Sequence, residues 1–201
     1  GRYEVSIDAF DKAGNKAIAS AISDVFFDIL PPNLTLTEPV NGAYINSAII
    51  TYGTSEEMKK GTIIFTRMNG SEDPNSPHII ELTGDQLKFG DHFSEEFDNV
   101  VNLKDGSIYK IEFSGEDLAG NVAKNISINN VTFDTSSPEL TILTPSVNGF
   151  YSDINMSIQI NELLLSGEII FEQNGGAKDP LSPHKIELSN DQLKEGKHSG
   201  I

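Results

Sequence analysis

Apolar and polar residues alternate with a period of two in short segments along most of this 201-residue chain. Such alternation is typical of β-strands that bury one face. In the central part of the chain it predicts seven or eight short strands, which include residues 34–37, 48–52, 62–65, 78–82, 93–97, 108–113 and 126–133. Turns with Gly or Pro separate them, and only residues 84–88 suggest a helical turn. We therefore predict an all-β fold in which antiparallel strands pack as a sandwich.

The sequence pattern is repeated, and the two copies are 106 residues apart. Recurring pairs include Tyr3 and Tyr109, Asp11 and Asp117, Asp28 and Asp134, Glu56 and Glu162, Asp73 and Asp179, His78 and His184, and His92 and His198. A period this long exceeds that of solenoid repeats. Each copy is therefore expected to be a domain with its own core.

The repeat is out of phase with the chain. A module that begins near Pro31 and Pro32 and ends near Asp134 leaves residues 1–28 as the C-terminal part of one module. Residues 29–135 then form a complete module, and residues 136–201 form the N-terminal part of the next. We interpret the chain as a segment of a longer array, in which neighbouring modules are partners of one another.

The composition narrows the classes of partner. Thirty acidic and 14 basic residues give a net charge of −16, and the acidic residues are spread through both copies. Such a surface repels nucleic acid and anionic lipid, which argues against nucleic-acid binding and direct membrane contact. The chain has no cysteine, which excludes disulfides, thiolate metal sites and cysteine nucleophiles without selecting a compartment.

A loop with the sequence Asp-x-Ala-Gly-Asn follows a Tyr-led strand in both copies, at residues 11–15 and 117–121. After the loop come another strand, the pair Phe133 and Asp134, and a Pro-led strand. Over the whole chain this order resembles bacterial immunoglobulin-like repeats, in which the loop joins the last two strands of a module. The resemblance implies tandem immunoglobulin-like antiparallel β-sandwiches, one complete and two partial at the chain ends. It also implies a large secreted or bacterial surface protein, such as an adhesin, and it does not imply a catalytic activity.

The repeated loop aspartate has two interpretations. The favoured one is structural, because an Asp side chain accepts hydrogen bonds from turn N–H groups while Gly and Asn tolerate a left-handed backbone. The alternative is a calcium site at or near the joints between modules, with oxygen ligands from Asp11, Asp28, Asp117 and Asp134. Glu56 and Glu162 are weaker candidates for the same ion. No calcium-loop signature is present in the sequence.

A second recurring loop, Asp-Pro-x-Ser-Pro-His, covers residues 73–78 and 179–184. With His92 and His198, each copy carries two histidines and a carboxylate, a set that suits a transition metal. The two histidines of a copy are 14 residues apart, and nothing in the sequence brings them together. The favoured interpretation is a Pro-stiffened loop with an exposed histidine.

No catalytic signature accompanies these loops, since Gly-x-Ser-x-Gly, His-Glu-x-x-His and phosphate-binding glycine motifs are absent from the sequence. We therefore expect a non-catalytic stalk or spacer. The alternatives are a module that binds a surface glycan or host protein and an accessory module of a secreted hydrolase. Carbohydrate platforms usually present exposed rings, and this chain has no Trp and only 8% aromatic residues.

Overall fold

The computed structural model describes residues 1–201, which form β-strands, one short 3₁₀ turn and no α-helix. The strands are β1 (Arg2–Ile7), β2 (Ser20–Phe26), β3 (Leu34–Glu38), β4 (Tyr44–Ile45), β5 (Ile49–Thr54), β6 (Met58–Gly70), β7 (His78–Glu81), β8 (Gly90–Glu96), β9 (Ser107–Asp117), β10 (Ile126–Phe133), β11 (Leu140–Thr144), β12 (Ser157–Ile160), β13 (Glu168–Phe171), β14 (His184–Glu187) and β15 (Gly196–Ser199). This confirms the all-β class. The predicted helical turn is the 3₁₀ segment Gly84–Leu87. No helix is long and apolar enough to cross a lipid bilayer.

The chain divides into two compact units, Gly1–Thr135 and Ser136–Ile201. In the first unit a five-stranded sheet, in the order β4-β10-β9-β6-β7, and a three-stranded sheet, in the order β3-β5-β8, contribute to one core. All pairs in these sheets are antiparallel except β4 with β10. The ring of Tyr52 on β5 meets the ring of Phe113 on β9 edge-on, with centroids 5.0 Å apart. The arrangement is sandwich-like.

The central strand β9 shows why the alternation is informative. Tyr109, Ile111 and Phe113 are completely buried, whereas Lys110 and Glu112 between them are partly exposed. Strand β6 is longer than the predicted residues 62–65 because it pairs with β9 along its whole length. Residues 58–61 and 66–70, at the two ends of β6, show no regular alternation of apolar and polar residues, so the pattern did not predict them. The two-residue strand β4 was not predicted, because so short a segment shows no period.

The path of the chain through the sandwich follows from contacts at the two ends of β9. The side-chain Nδ2 of Asn121, just beyond the end of β9, donates to the carbonyl oxygen of Asp28 at 3.2 Å. At the start of β9, the backbone N–H of Thr135 donates to Asp105 Oδ1 at 2.6 Å. Strand β9 has 11 residues, so its two ends lie roughly 33 Å apart at about 3.3 Å per residue. The chain therefore enters and leaves this sandwich at opposite ends.

The hairpin of β1 and β2 repeats the geometry of β9 and β10. Tyr3 pairs with Val25 as Tyr109 pairs with Val131, and a register shift follows in both pairs. The bulges contain left-handed residues at equivalent positions, Asp24 with φ 63° and Asn130 with φ 57°. The hairpin nevertheless forms a sheet of only two strands.

The second unit repeats the pairing of β3 to β8. Its three-stranded sheet has the order β11-β12-β15, and β13 pairs with β14 alone. Ile142 pairs with Ile158 as Leu36 pairs with Tyr52, so the register is kept at the same offset. These strand pairings are thus the same in both copies of the repeat. The predicted module boundaries at residues 28 and 135 stay predictions.

Candidate functional site: an acidic cluster at one end of the sandwich

Three carboxylates from distant parts of the sequence converge in the first unit. Oxygen atoms of Asp28, Glu56 and Asp117 all lie within 4.8 Å of one another. Asp28 precedes β3, Glu56 lies in the turn between β5 and β6, and Asp117 ends β9. Asp28 is exposed, Glu56 is partly buried and Asp117 is buried. We call these three residues the acidic cluster.

Asp117 also shapes its own loop. Its Oδ1 accepts the backbone N–H of Asn121 and its Oδ2 accepts Asn121 Nδ2, both at 2.8 Å. In the other copy, Asp11 accepts the same two bonds from Asn15, again at 2.8 Å. These are the turn-shaping hydrogen bonds expected from the sequence. The left-handed positions are the loop glycines, which have φ of 88° and 95°.

The pKa values of Asp117 and Glu56 in the acidic cluster shift in opposite directions. Burial opposes the ionisation of Asp117, but hydrogen bonds from Asn121 and the loop amides outweigh it and lower the pKa of Asp117. The pKa of Glu56 is raised, first by burial and then by the charges of Asp28 and Asp117. The Asp117 carboxylate already accepts hydrogen bonds from Asn121, Gly120 and Ala119, so Asp28 and Glu56 offer more free acceptor sites for a cation than Asp117 does.

Of the four calcium candidates, Asp28 and Asp117 lie in the acidic cluster, and Asp11 and Asp134 lie outside it. Glu56, a weaker candidate in the sequence, completes the cluster. In the next copy Glu162 occupies the position of Glu56, and its Oε1 atom is buried without a hydrogen-bond partner. The convergence shows that the geometry is compatible with a cation, and calcium binding stays a prediction.

The repeated Asp-His loop forms a buried network in the first unit. His78 Nε2 lies 2.6 Å from Asp73 Oδ2, and the Tyr109 hydroxyl donates to the same oxygen at 2.6 Å. His78 is only 8% exposed, so the expectation of an exposed loop histidine is wrong here. The reason is Tyr109, which the sequence did not link to the loop. Its position on the central strand β9 brings a hydroxyl donor to the carboxylate and completes the network inside the first unit.

The second repeated histidine has a separate role. His92 lies on β8, in the other sheet from His78, and stacks on the ring of Tyr52 with centroids 4.7 Å apart. Its Nε2 lies 3.0 Å from the carbonyl oxygen of Lys88, and His198 makes the equivalent contact with Lys194 at 2.8 Å. The two histidines of a copy are thus engaged in different sheets, so they form no shared metal site.

A groove of about 600 Å³ lies at the end of the sandwich where the chain leaves. Two of the acidic residues that line it hold the framework: Asp98 Oδ1 accepts the backbone N–H of Ala48 at 2.8 Å, and Asp105 Oδ1 accepts that of Thr135. Its one aromatic lining residue is Phe133, which is 8% exposed. The groove therefore does not resemble a carbohydrate platform. Comparison with protein-family models and with curated proteins gives no match for this chain.

Proposed function

We propose that this chain is a non-catalytic segment of tandem immunoglobulin-like modules that acts as a stalk or spacer in a large bacterial extracellular or surface protein of the adhesin type. The observation that carries the proposal is the path of the chain, which enters and leaves the sandwich of the first unit at opposite ends. A module with this path lengthens an array each time it is repeated. Its partners are the neighbouring modules.

The recurring polar residues support a mechanical role. Asp11 and Asp117 close turns, and the repeated histidines bond to Asp73, Asp179 or backbone carbonyl groups. These bonds support a role for the repeated residues in stabilising the module. The net charge of −16 discourages modules from adhering to one another. Glycan binding, host-protein binding and a role beside a secreted hydrolase have no comparable geometric support.

The stalk proposal predicts the length of an array. Small-angle X-ray scattering of proteins with two, three and four tandem copies of residues 29–135 should show a maximum dimension that grows by equal steps of at least about 33 Å per copy. Each step reflects the distance between the two ends of β9. Measurements at high salt, which screens repulsion between modules, serve as the control. A maximum dimension that levels off with copy number would contradict an extended stalk.

A second proposal is that a calcium ion binds at the joint between modules. The observation that supports it is the acidic cluster. Asp28 precedes the sandwich, while Glu56 lies in the turn between β5 and β6 and Asp117 ends β9. A calcium ion held by these carboxylates would tie the incoming segment to the module and stiffen the array. Calcium takes six to eight oxygen ligands, so backbone carbonyls and water would complete its coordination.

The variant Glu56→Gln distinguishes a calcium-binding acidic cluster from one that has only a structural role. The pKa of Glu56 is raised in the folded state, so ionised Glu56 costs stability once the pH rises through that pKa. In chelator at neutral pH, the variant should therefore melt above the wild type. With calcium at a hundred times its dissociation constant, the wild type should gain about 2.7 kcal/mol, and the variant should gain much less.

The matched control is Glu57→Gln, because Glu57 pairs with Lys88 at 2.6 Å and is not in the acidic cluster. This variant should retain the full response to calcium. A wild-type melting temperature that does not change with calcium would reject the calcium joint and leave the stalk proposal standing.

A further inference from the structure

The three-stranded sheet of the first unit is acidic. Strands β3, β5 and β8 contain no Lys or Arg, and they contain four acidic residues, namely Glu38, Asp91, Glu95 and Glu96. In the second copy, Thr144 and Lys197 occupy the positions of Glu38 and Asp91 in the same strand pairing. The shared fold therefore does not require this acidic charge, and the charge is particular to the sheet of the first unit.

An exposed aromatic ring lies between two of these carboxylates on the outer face of the sheet. Asp91 pairs with Gly53 of β5, which is next to the buried Tyr52. Because successive side chains of a strand point to opposite faces, Asp91 faces outwards. Phe93, two residues further along β8, shares this face and is 74% exposed. Beyond the register shift in β8, Glu96 returns to the same face.

Gly53 allows the Asp91 carboxylate to lie across the sheet. A Cβ atom at Gly53 would overlap Asp91 Oδ1 and would lie 2.7 Å from Thr35 Oγ1 of the other neighbouring strand. Glycine weakens the interior of a strand, and Gly53 has no left-handed backbone that would require it. Its presence brings a carboxylate and a hydroxyl group together on the outer face. In the second copy Gln159 occupies the position of Gly53.

We propose that this outer face binds an extended, arginine-bearing segment of a partner protein. We call Thr35, Asp91, Phe93 and Glu96 the docking face. A guanidinium group is attracted to the face of an aromatic ring and pairs with carboxylates through two parallel hydrogen bonds. The carboxylate of Asp91 is available, because it forms no hydrogen bond or ion pair within the chain. This binding surface is additional to the spacer function and does not depend on it.

The spacing of the docking face fits an extended peptide. Gly53 and Ile49, which pair with Asp91 and Glu96, are four residues apart on β5, a distance of about 13 Å. Alternate side chains of an extended peptide point to one side at intervals of about 6.7 Å. Arginine at every second position therefore places three guanidinium groups at the spacing of the two carboxylates and the ring between them. The net charge of −16 also attracts such a segment from solution.

Fluorescence anisotropy of a labelled Arg-Thr-Arg-Thr-Arg peptide, titrated with the full chain, tests the proposal. Asp91→Lys should weaken binding at least about tenfold, because it places a like charge in the docking face. The matched control is Glu72→Lys, which changes the charge equally. Both variants introduce the residue of the second copy, Lys197 or Lys178, at an exposed position, so the fold accommodates them.

The control residue lies far from the docking face. Asp91 lies beside the end of β5 that leads into β6, whereas Glu72 follows the other end of the 13-residue β6. At physiological salt a charge beyond about 8 Å is largely screened, so Glu72→Lys should weaken binding less than about twofold. Equal losses in the two variants would show that net charge alone attracts the peptide, and they would overturn the proposal.

Substitutions of Phe93 test the contribution of the ring. Phe93→Leu keeps an apolar side chain but removes the aromatic face, and it should weaken binding about two- to fivefold. Phe93→Tyr should preserve binding. A peptide with neutral citrulline in place of arginine should not bind. No measurable binding of the arginine peptide, unchanged affinity of Phe93→Leu, or equal binding of the citrulline peptide would each overturn the proposal.

Discussion

Asp73→Ala is expected to destabilise the first unit by about 2–6 kcal/mol, because it leaves two buried hydrogen-bonding groups without their partner, at about 1–3 kcal/mol each. The side chains of Asp73 and His78 are only 2% and 8% exposed. The substitution leaves His78 and the Tyr109 hydroxyl without the oxygen that binds both of them. Urea unfolding followed by circular dichroism, together with hydrogen exchange of β7 and β9, measures the loss.

The second copy provides the matched control. Asp179 forms the same 2.6 Å contact with His184, but these side chains are 38% and 47% exposed. Each aspartate also accepts a backbone N–H of its own loop, so both alanine variants lose that turn contact. Asp179→Ala should cost less than about 1 kcal/mol, as expected for a solvated pair. Similar losses in both copies would show that loop geometry, and not burial of the network, carries the stability.

The pH dependence gives an independent check on Asp73. Burial opposes its ionisation, but hydrogen bonds from Tyr109 and His78 outweigh it and lower the pKa of Asp73. A lowered folded-state pKa contributes stability above the unfolded value of about 3.9 and loses it as the pH falls through the folded value. The difference between wild type and Asp73→Ala should therefore be full at neutral pH and shrink below about pH 4.

Gly70→Ala is expected to destabilise the first unit by about 2–5 kcal/mol, from left-handed strain and backbone overlap together. Gly70 has φ of 75°, and a Cβ atom there would overlap the carbonyl oxygen of Gly106 and lie 3.1 Å from Ser107 Cα. Both are backbone atoms where β6 meets the start of β9, so side-chain rotation cannot relieve the contact. The change in the urea midpoint measures the effect.

Gly42→Ala isolates the conformational part of that loss. Gly42 has a similar φ of 77°, but nothing lies within 4 Å of its added Cβ. Its substitution should cost only about 1–2 kcal/mol. If the two alanine variants lose equal stability, the close approach of β6 and β9 at Gly70 contributes nothing.

Short-range features were predictable because neighbouring residues alone decide them. Alternation located the strands of the sandwich, and the Asp-x-Ala-Gly-Asn sequence predicted the hydrogen bonds that Asp11 and Asp117 make with their own loops. The lengths of β6 and the existence of β4 were not predictable. Both depend on pairing with β9 and β10, and the residues of a segment alone do not show which strand it pairs with.

The acidic cluster was only partly predictable. Asp28 and Asp117 were candidates because they recur, but recurrence cannot show which carboxylates meet. Residues 28, 56 and 117 converge because the order of the strands places the start of β3, the β5–β6 turn and the end of β9 together. The same strand order leaves Asp11 and Asp134 outside the cluster.

By itself, the sequence determined the all-β class, the repeat and the contacts inside each loop, because hydrogen bonds and alternation over a few residues encode them. Only the tertiary structure decided which of these features are buried. His78 and His184 make the same bond to an aspartate. His78 is enclosed because Tyr109 of β9 shares its partner, whereas no third strand joins β13 and β14 beside His184. Burial depends on strands that lie far away in sequence, and burial makes the difference between a solvated Asp–His contact and a structural network.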